Sequence, residues 1–336
     1  MKKKINVAVV GTGAVGQALL QVLAERDFPV AGLKVLATKR SAGKKVEFKG
    51  EEYTIEETAP DSFSGVHLAL FAGGEASRLF APAAVKEGAV VIDNSSSFRL
   101  DPQVPLVVPE VNPEDVKWHK GIIANPNCST IQLVVALKPL YDAAGIERVI
   151  ISTYQAVSGA GQEAVEELKL QSREVLEGRP VTAAVFPWPI AFNCLPHIDV
   201  FQPNGYTREE MKMVHETRKI MKDENLKISA TAVRVPVFVG HCEAVHVETR
   251  EELSVEEVRE IFRRAPGVVL MDDPEKKLYP LPIQVAGKDE VYIGRLRKDL
   301  AVDRGLSMWV VADNLRKGAA TNAVQIAELL LKESLL

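Results

Sequence analysis

The chain has 336 residues, 46 % of them hydrophobic and 26 % charged, and a formal net charge of −4. That length leaves room for two domains, and the composition is that of an ordinary globular protein with no disorder signature. The charge balance gives no reason to expect nucleic acid or an anionic membrane as partner. Cys128, Cys194 and Cys242, odd in number and without a C-x-x-C pair, argue for a reducing compartment over a disulfide framework.

The chain opens MKKKINVAVVG, basic residues before an apolar run, as a secretory leader would. The run breaks at Gly11-Thr12-Gly13 and continues as an amphipathic helix without a small-residue cleavage pattern. No other apolar stretch reaches membrane-spanning length, so a cytoplasmic location is expected. INVAVV (5–10) reads as a strand buried on both faces, and GTGAVGQALLQVLAER (11–26) turns and becomes a helix. GLKVLAT (32–38), VHLALFA (66–72) and AVVIDN (89–94) are further apolar strands, with a helix at EASRLFAPAAVKEG (75–88). This alternation predicts a Rossmann-like, doubly wound, largely parallel sheet with right-handed crossovers.

A short apolar strand then runs into Asn125-Pro126-Asn127-Cys128, where a helix begins, and beyond it the pattern changes. RVIISTYQAV (148–157), KISATAVRVPVFV (227–239), EAVHVET (243–249) and VYIGRLR (291–297) are longer, more clearly alternating strands. Helices at GQEAVEELKLQSREVLEG (161–178) and SVEEVREIFRRA (254–265) separate them, and Pro-rich FPWPIAFNCLP (186–196) is a loop. The second half is therefore an α+β domain on a mostly antiparallel sheet, giving an α/β chain overall. NLRKGAATNAVQIAELLLKE (314–333) reads as an amphipathic C-terminal helix.

Gly11-Thr12-Gly13-Ala14-Val15-Gly16 fits G-x-G-x-x-G at the first strand–helix junction, where glycine lets a pyrophosphate approach the backbone and a helix N-terminus hold it. An NAD site would want an acidic residue at the end of the second strand. The chain has Thr38-Lys39-Arg40-Ser41, and a guanidinium with a hydroxyl suits the 2′-phosphate of NADP.

Cys128 stands at the N-terminus of the helix containing STIQLVVALKPL, where unpaired N–H groups and the helix dipole lower a thiol pKa and could hold an oxyanion. Read alone it is either that nucleophile or a buried small hydrophobe. Of six histidines, His241 is best placed to be its base. Arg234 shares a strand face with Ile228, Ala230 and Ala232, where a guanidinium is costly unless it meets an anion such as a carboxylate substrate. Arg99, after DNSSS, and Lys219 could hold another anion, although Glu216 and Lys219, three apart on a helix, also read as a surface pair. His241 and His246 do not match H-E-x-x-H and no Cys/His cluster has zinc-ligand spacing, so no metal site is expected.

Nearly the whole chain resembles the bacterial type of the aspartate-semialdehyde dehydrogenase family. The resemblance rests on RSAGK (40–44), VIDNSSSFR (91–99), VPLVVPEVNPED (104–115), NPNCST (125–130) and TYQAVSGAG (153–161). It continues through FNCLPHID (192–199), NGYTREEMKM (204–213), RVPVFVGH (234–241) and KGAATNAVQIAELL (317–330). It implies an NADP-binding domain over 1–127, completed by the C-terminal helix at about 315–336, and a catalytic and dimerisation domain over 128–314, in a homodimer or dimer-built tetramer. Cys128 would be the acyl-thioester nucleophile, His241 the acid/base with a pKa near neutrality, and Gln155 the group that orients the carbonyl. Arg234 would hold the substrate α-carboxylate and Glu216 its amino group, with Arg99 and Lys219 on phosphate and Asn127 also lining the substrate site. Gly11, Thr12, Gly13, Ala14, Val15, Arg40 and Ser41 would contact NADP, with Ser158, Gly159 and Asn314 nearer the nicotinamide. The reaction implied is reversible reduction of aspartyl phosphate to aspartate semialdehyde, with release of phosphate, in the pathway to lysine, threonine and methionine.

Two departures stand out. The family commonly has G-x-x-G-x-x-G in the first loop, one residue longer than here, and Ser or Ala where Cys242 follows His241. N-acetyl-glutamyl-phosphate reductase shares the chemistry but would not need Glu216 for a free ammonium. A non-catalytic paralogue should have lost Cys128, His241 or Arg234, and a thiol redox sensor leaves Arg99, Arg234 and Lys219 without a purpose.

Overall fold

The computed structural model describes residues 4–336; the first three residues of the basic start lie outside it. Two compact units are present, one formed by the chain up to Asn127 together with 319–336, the other by Cys128–Gly318.

In the first unit the strands β1 (Ile5–Val10) and β2 (Val30–Ala37) flank helix α1 (Ala14–Glu25) in sequence. A hairpin of β3 (Lys45–Phe48) and β4 (Glu51–Thr54) follows, then the two-residue β5 (Glu56–Glu57), none of which the sequence pattern announces. β6 (Leu68–Phe71), α2 (Glu75–Lys86), β7 (Val90–Asp93) and β8 (Ile122–Ala124) complete the sheet, whose order is β5-β2-β1-β6-β7-β8 with every pair parallel. The order reverses at β1, so a crevice opens beyond the carboxyl ends of β1 and β6, where an open α/β sheet binds its ligands. β1 is central and buried on both faces, which is why it is almost uniformly apolar. The C-terminal helix, Thr321–Lys332, belongs to this unit. Ala323, Val324, Ile326, Ala327 and Leu330 enter one core with Leu19, Leu23 and Phe28, and Asn322 donates to Val107 O and Asn125 Oδ1.

The second unit begins with α3 (Cys128–Ala144) and β9 (Ile146–Gln155), followed by α4 (Gln162–Leu176) and α5 (Arg208–Met221). Then come β10 (Lys227–Arg234), β11 (His241–Thr249), α6 (Val255–Arg264), β12 (Val268–Leu270), the one-turn α7 (Pro282–Val285), β13 (Val291–Lys298) and β14 (Gly305–Ala312). The sheet order is β10-β9-β11-β14-β13-β12, antiparallel through the centre and parallel at both edge pairs. β10 ends at Arg234, five residues before the end of its apolar run. Pro236 has no N–H to continue a ladder, and the chain turns back through Gly240 at φ +96°. The expected C-terminal helix likewise starts late. Arg316–Ala320 is a π-helical turn, and the regular helix begins at Thr321. One face of the sheet is packed under α3, α5 and α6; the other exposes Ile150 (41 %) and Tyr154 (39 %), the latter tilted at 53° against Trp309 with ring centroids 5.2 Å apart.

Glu243 lies on the covered face of β11, fully buried, with the Gln132 side chain of α3 beside it. Burial pushes its carboxyl well above the ordinary value. The folded chain therefore keeps this proton while the unfolded chain loses it above about pH 4.3, so the group subtracts stability as pH rises toward its folded pKa. Glu243→Gln is expected to raise the melting temperature at pH 8 and to change it less at pH 5. Equal shifts at both pH values in thermal unfolding would show that Glu243 is not held neutral.

Candidate active site

The ends of four strands meet at one end of the second sheet. Gln155 closes β9, its register partner Arg234 closes β10, His241 opens β11, and Asn314 follows β14. Cys128 is the first residue of α3 and is partly exposed, whereas Cys194 is exposed and Cys242 buried. A side chain at position 318 would bring its Cβ to 3.0 Å from Cys128 Cβ, so Gly318 is what lets the π-helical turn pass this close to the thiol.

The cluster is tied together by backbone groups. His241 Nδ1 accepts from Ala156 N–H at 3.0 Å, and Arg234 Nη1 donates to Ala156 O at 2.7 Å. Because Nδ1 is the acceptor, the neutral ring carries its proton on Nε2, which is buried and has no partner among the described residues. Burial, then the Arg234 charge, push His241 down to about 3, against Glu209. This corrects the expectation of a pKa near neutrality: the ring is a neutral Nε2–H donor, not a half-protonated buffer. Burial lowers Arg234 from its usual value as well, against the opposing pull of Glu209 and Cys128. Cys242, behind His241, has its thiol pushed up to about 12, first by burial and then by Glu243.

Gln155 Nε2 donates to Ser129 Oγ at 2.6 Å and Glu209 Oε1 at 3.0 Å, while its carbonyl oxygen is buried and unpartnered. Glu209 is buried in the first turn of α5, where the Thr207–Glu210 capping box fixes the helix start. Its other oxygen binds Lys212 Nζ at 3.0 Å, and Lys212 also meets Asp199 at 2.9 Å. Burial works to lower Lys212, but the two carboxylates outweigh it and raise its pKa. The carboxylate–lysine pair that reaches Gln155 is therefore Glu209 and Lys212. Glu216 and Lys219, the pair expected at the substrate site, are two turns further along α5, about 10 Å down the helix axis.

Ser158, Gly159 and Asn314 belong to this same cluster. Asn314 Nδ2 donates to Ser158 Oγ at 2.9 Å, and its Oδ1 accepts from Gly240 N–H at 2.9 Å. A Cβ at Gly159 would lie 2.9 Å from Arg234 Nη1 and 3.2 Å from His241 Nε2, so this glycine gives both side chains their room.

The first unit holds the remaining residues. Gly11 has φ +104°, and a Cβ on Gly16 would come within 1.9 Å of Gly11 O, so the loop closes as it does only with glycine there. Gly13 caps α1 without a side-chain bond, which leaves the first N–H groups of Ala14 and Val15 facing outward at the positive end of the helix. The shorter loop thus still forms a cradle of the shape a pyrophosphate needs. Val15 packs its side chain into the core and offers only its backbone, and Gln17 Nε2 donates to Thr12 O. Arg40 is exposed in the turn after β2, and Ser41 N–H donates to Thr38 O. Arg99 is buried and held by two backbone carbonyls, Asn125 O at 2.9 Å and Asn94 O at 2.8 Å. Asn127, also buried, is the last residue before α3.

Residues 6–119 match the profile of the semialdehyde dehydrogenase NAD binding domain, and 137–317 that of the semialdehyde dehydrogenase dimerisation domain. The aspartate-semialdehyde dehydrogenase of Aquifex aeolicus is 61 % identical over 98 % of this chain and 99 % of its own length. A crystal structure of aspartate semialdehyde dehydrogenase II from Vibrio cholerae complexed with ASA superposes with a TM-score of 0.96 at 52 % identity, covering 98 % of this chain and 99 % of that one. The Candida albicans aspartate semialdehyde dehydrogenase with NADP, 26 % identical, reaches 0.78 over 99 % and 100 % of the two chains.

Proposed function

The chain belongs to the aspartate-semialdehyde dehydrogenase family, and from that premise we propose that it interconverts aspartyl phosphate and aspartate semialdehyde through a thioester on Cys128, using NADP. The observation that carries this reading is Cys128 at the first position of α3 beside a cluster of Arg234, His241, Gln155 and Glu209. Arg234, buried and without an ion-pair partner among the described residues, suits the substrate carboxylate. Glu209 suits the ammonium group and Lys212 the phosphate, and Arg99 in the first unit is by itself a buried cation suited to an anion.

The Cys128 thiolate, favoured by the helix N-terminus and by Arg234, attacks the acyl carbon, and the C–O bond to phosphate breaks with its electron pair leaving on phosphate. The nicotinamide cofactor, when bound, supplies the hydride in this direction and accepts it in reverse. His241 Nε2–H and the backbone N–H groups of α3 hold the oxygen that becomes negative at the former carbonyl. The C–S bond then breaks with its pair returning to sulfur, and the aldehyde leaves. No proton need pass through His241 in that collapse, which agrees with its neutral state. The Gly11–Gly16 cradle supports dinucleotide binding, and Arg40 with Ser41 past β2 supports NADP over NAD. The open face of the second sheet supports a homodimer or dimer-built tetramer. No helix among the described residues is long and apolar enough to cross a membrane; with an odd number of cysteines and no C-x-x-C pair, this supports a cytoplasmic enzyme of lysine, threonine and methionine synthesis.

Aspartate semialdehyde, phosphate and NADP are expected to give reduced nicotinamide absorbance, dependent on phosphate. N-acetyl-glutamate semialdehyde in its place is expected to give none. Equal rates with the two aldehydes would transfer the assignment to the acetylated substrate.

A further inference from the structure

Arg234 is a buried guanidinium with a single side-chain hydrogen bond, to Ala156 O, and no salt bridge among the described residues, so Glu209 and Cys128 act on its charge without a direct ion pair to aim its plane. Residues 182–195 reach it at two points. Leu195 and Arg234 exchange two backbone hydrogen bonds of 2.9 and 2.8 Å, and the Phe186 ring lies under the guanidinium, 6.0 Å from centroid to Cζ. That loop has no strand or helix of its own, and its tip exposes Trp188 and Phe192.

The loop hangs on two buried polar side chains one turn apart on α4. Glu167 Oε2 accepts from the backbone N–H of Ala184 and of Val185, and its Oε1 accepts from Gln171 Nε2. Gln171 donates to Thr182 O at 3.0 Å, and its Oε1 accepts from Ile190 N–H at 2.8 Å and Ala191 N–H at 3.1 Å. Val157, Ala164, Leu168 and Ile190 pack with Phe186 beneath this arrangement. Two α4 side chains thus fix both ends of the segment that carries Phe186, and at its far end the buried N–H groups of Ile190 and Ala191 would otherwise be costly to leave unsatisfied.

We propose that Phe186, latched through Glu167 and Gln171, is a positioning residue that sets substrate affinity by holding the Arg234 guanidinium in the plane a carboxylate needs. The proposal rests on the reading of Arg234 as the carboxylate clamp. A cation over an aromatic face is favourable and keeps its N–H edge available for a bidentate partner.

The test compares wild type with Phe186→Leu, Phe186→Tyr and Glu167→Ala, each checked for folding by thermal melting. Phe186→Leu and Glu167→Ala are expected to raise KM for aspartate semialdehyde about 10-fold, with kcat and KM for NADP changed less than about 3-fold, and Phe186→Tyr to stay near wild type. A merely structural role would lower the melting temperature and spread the loss over all three constants, and that pattern overturns the proposal. Unchanged KM for the aldehyde in both Phe186→Leu and Glu167→Ala overturns it too. A well-folded wild type with no turnover overturns the parent reading instead.

Discussion

Replacing Cys128 by serine is expected to reduce turnover on the order of 10⁴-fold while leaving the melting temperature nearly unchanged. Oxygen for sulfur is a small change in volume at a partly exposed position, so packing is barely disturbed. Chemically the change is large. The helix N-terminus and Arg234 can draw a thiol with an ordinary pKa of ~8.5 into the thiolate range, but not a hydroxyl. The neutral His241 offers a proton at Nε2, not a lone pair, so serine would find no base there. Rates followed through nicotinamide absorbance, beside mass spectrometry of enzyme treated with aspartyl phosphate in the absence of cofactor, check both halves. Wild type should carry the aspartyl group on Cys128 and the serine variant none. A serine variant that keeps a tenth of wild-type rate would remove Cys128 from the chemistry.

Arg234→Lys is expected to lower kcat/KM for aspartate semialdehyde by roughly 30- to 5,000-fold, corresponding to about 2–5 kcal/mol for truncating one partner of a buried charge pair. Lysine keeps the charge but loses the planar fork, the 2.7 Å bond to Ala156 O and the contact with Phe186. The loss should be smaller for an aldehyde without the carboxylate, and that comparison separates a clamp from a general collapse of the site. A second readout follows from the same contact. After burial, Arg234 is the next cause holding His241 low, so Arg234→Leu should raise the imidazole pKa, visible by nuclear magnetic resonance of the ring. Wild-type kcat/KM should show no imidazole ionisation between about pH 5 and 8. A lysine variant that kept wild-type kcat/KM would show that another group binds the carboxylate.

Much of the fold was legible because it is written in local patterns. The apolar runs of β1, β6 and β7 are those of strands buried on both faces, and the first glycine loop sits where strand period gives way to helix period. The hairpin β3–β4 escaped because KVEF and EEYT carry too little apolar alternation, and β5 because two residues have no period at all. Site residues were legible where one residue stands out chemically, as Cys128 and Arg234 do. The pair on α5 was not. Glu209–Lys212 and Glu216–Lys219 have the same spacing and lie two turns apart on one helix face, so only packing against Gln155 separates them. The state of His241 was equally hidden, since a ring that is fully enclosed and accepts from Ala156 N–H has the same letter as one in water. Glu167 and Gln171 fit the pattern of any amphipathic helix, and only the loop they hold distinguishes them.

The return of residues 319–336 to the first unit has a consequence for how the chain is born. On a ribosome, the strands of the first sheet emerge long before the helix that buries Leu19 and Leu23 from the other side. Between them lies the whole of 128–318, which takes roughly ten to forty seconds to translate. The second unit is contiguous and can close as it emerges, but the first must wait with apolar surface uncovered. A nascent chain arrested anywhere before residue 319 therefore displays a half-built nucleotide fold, the kind of surface that chaperones and quality-control proteases engage.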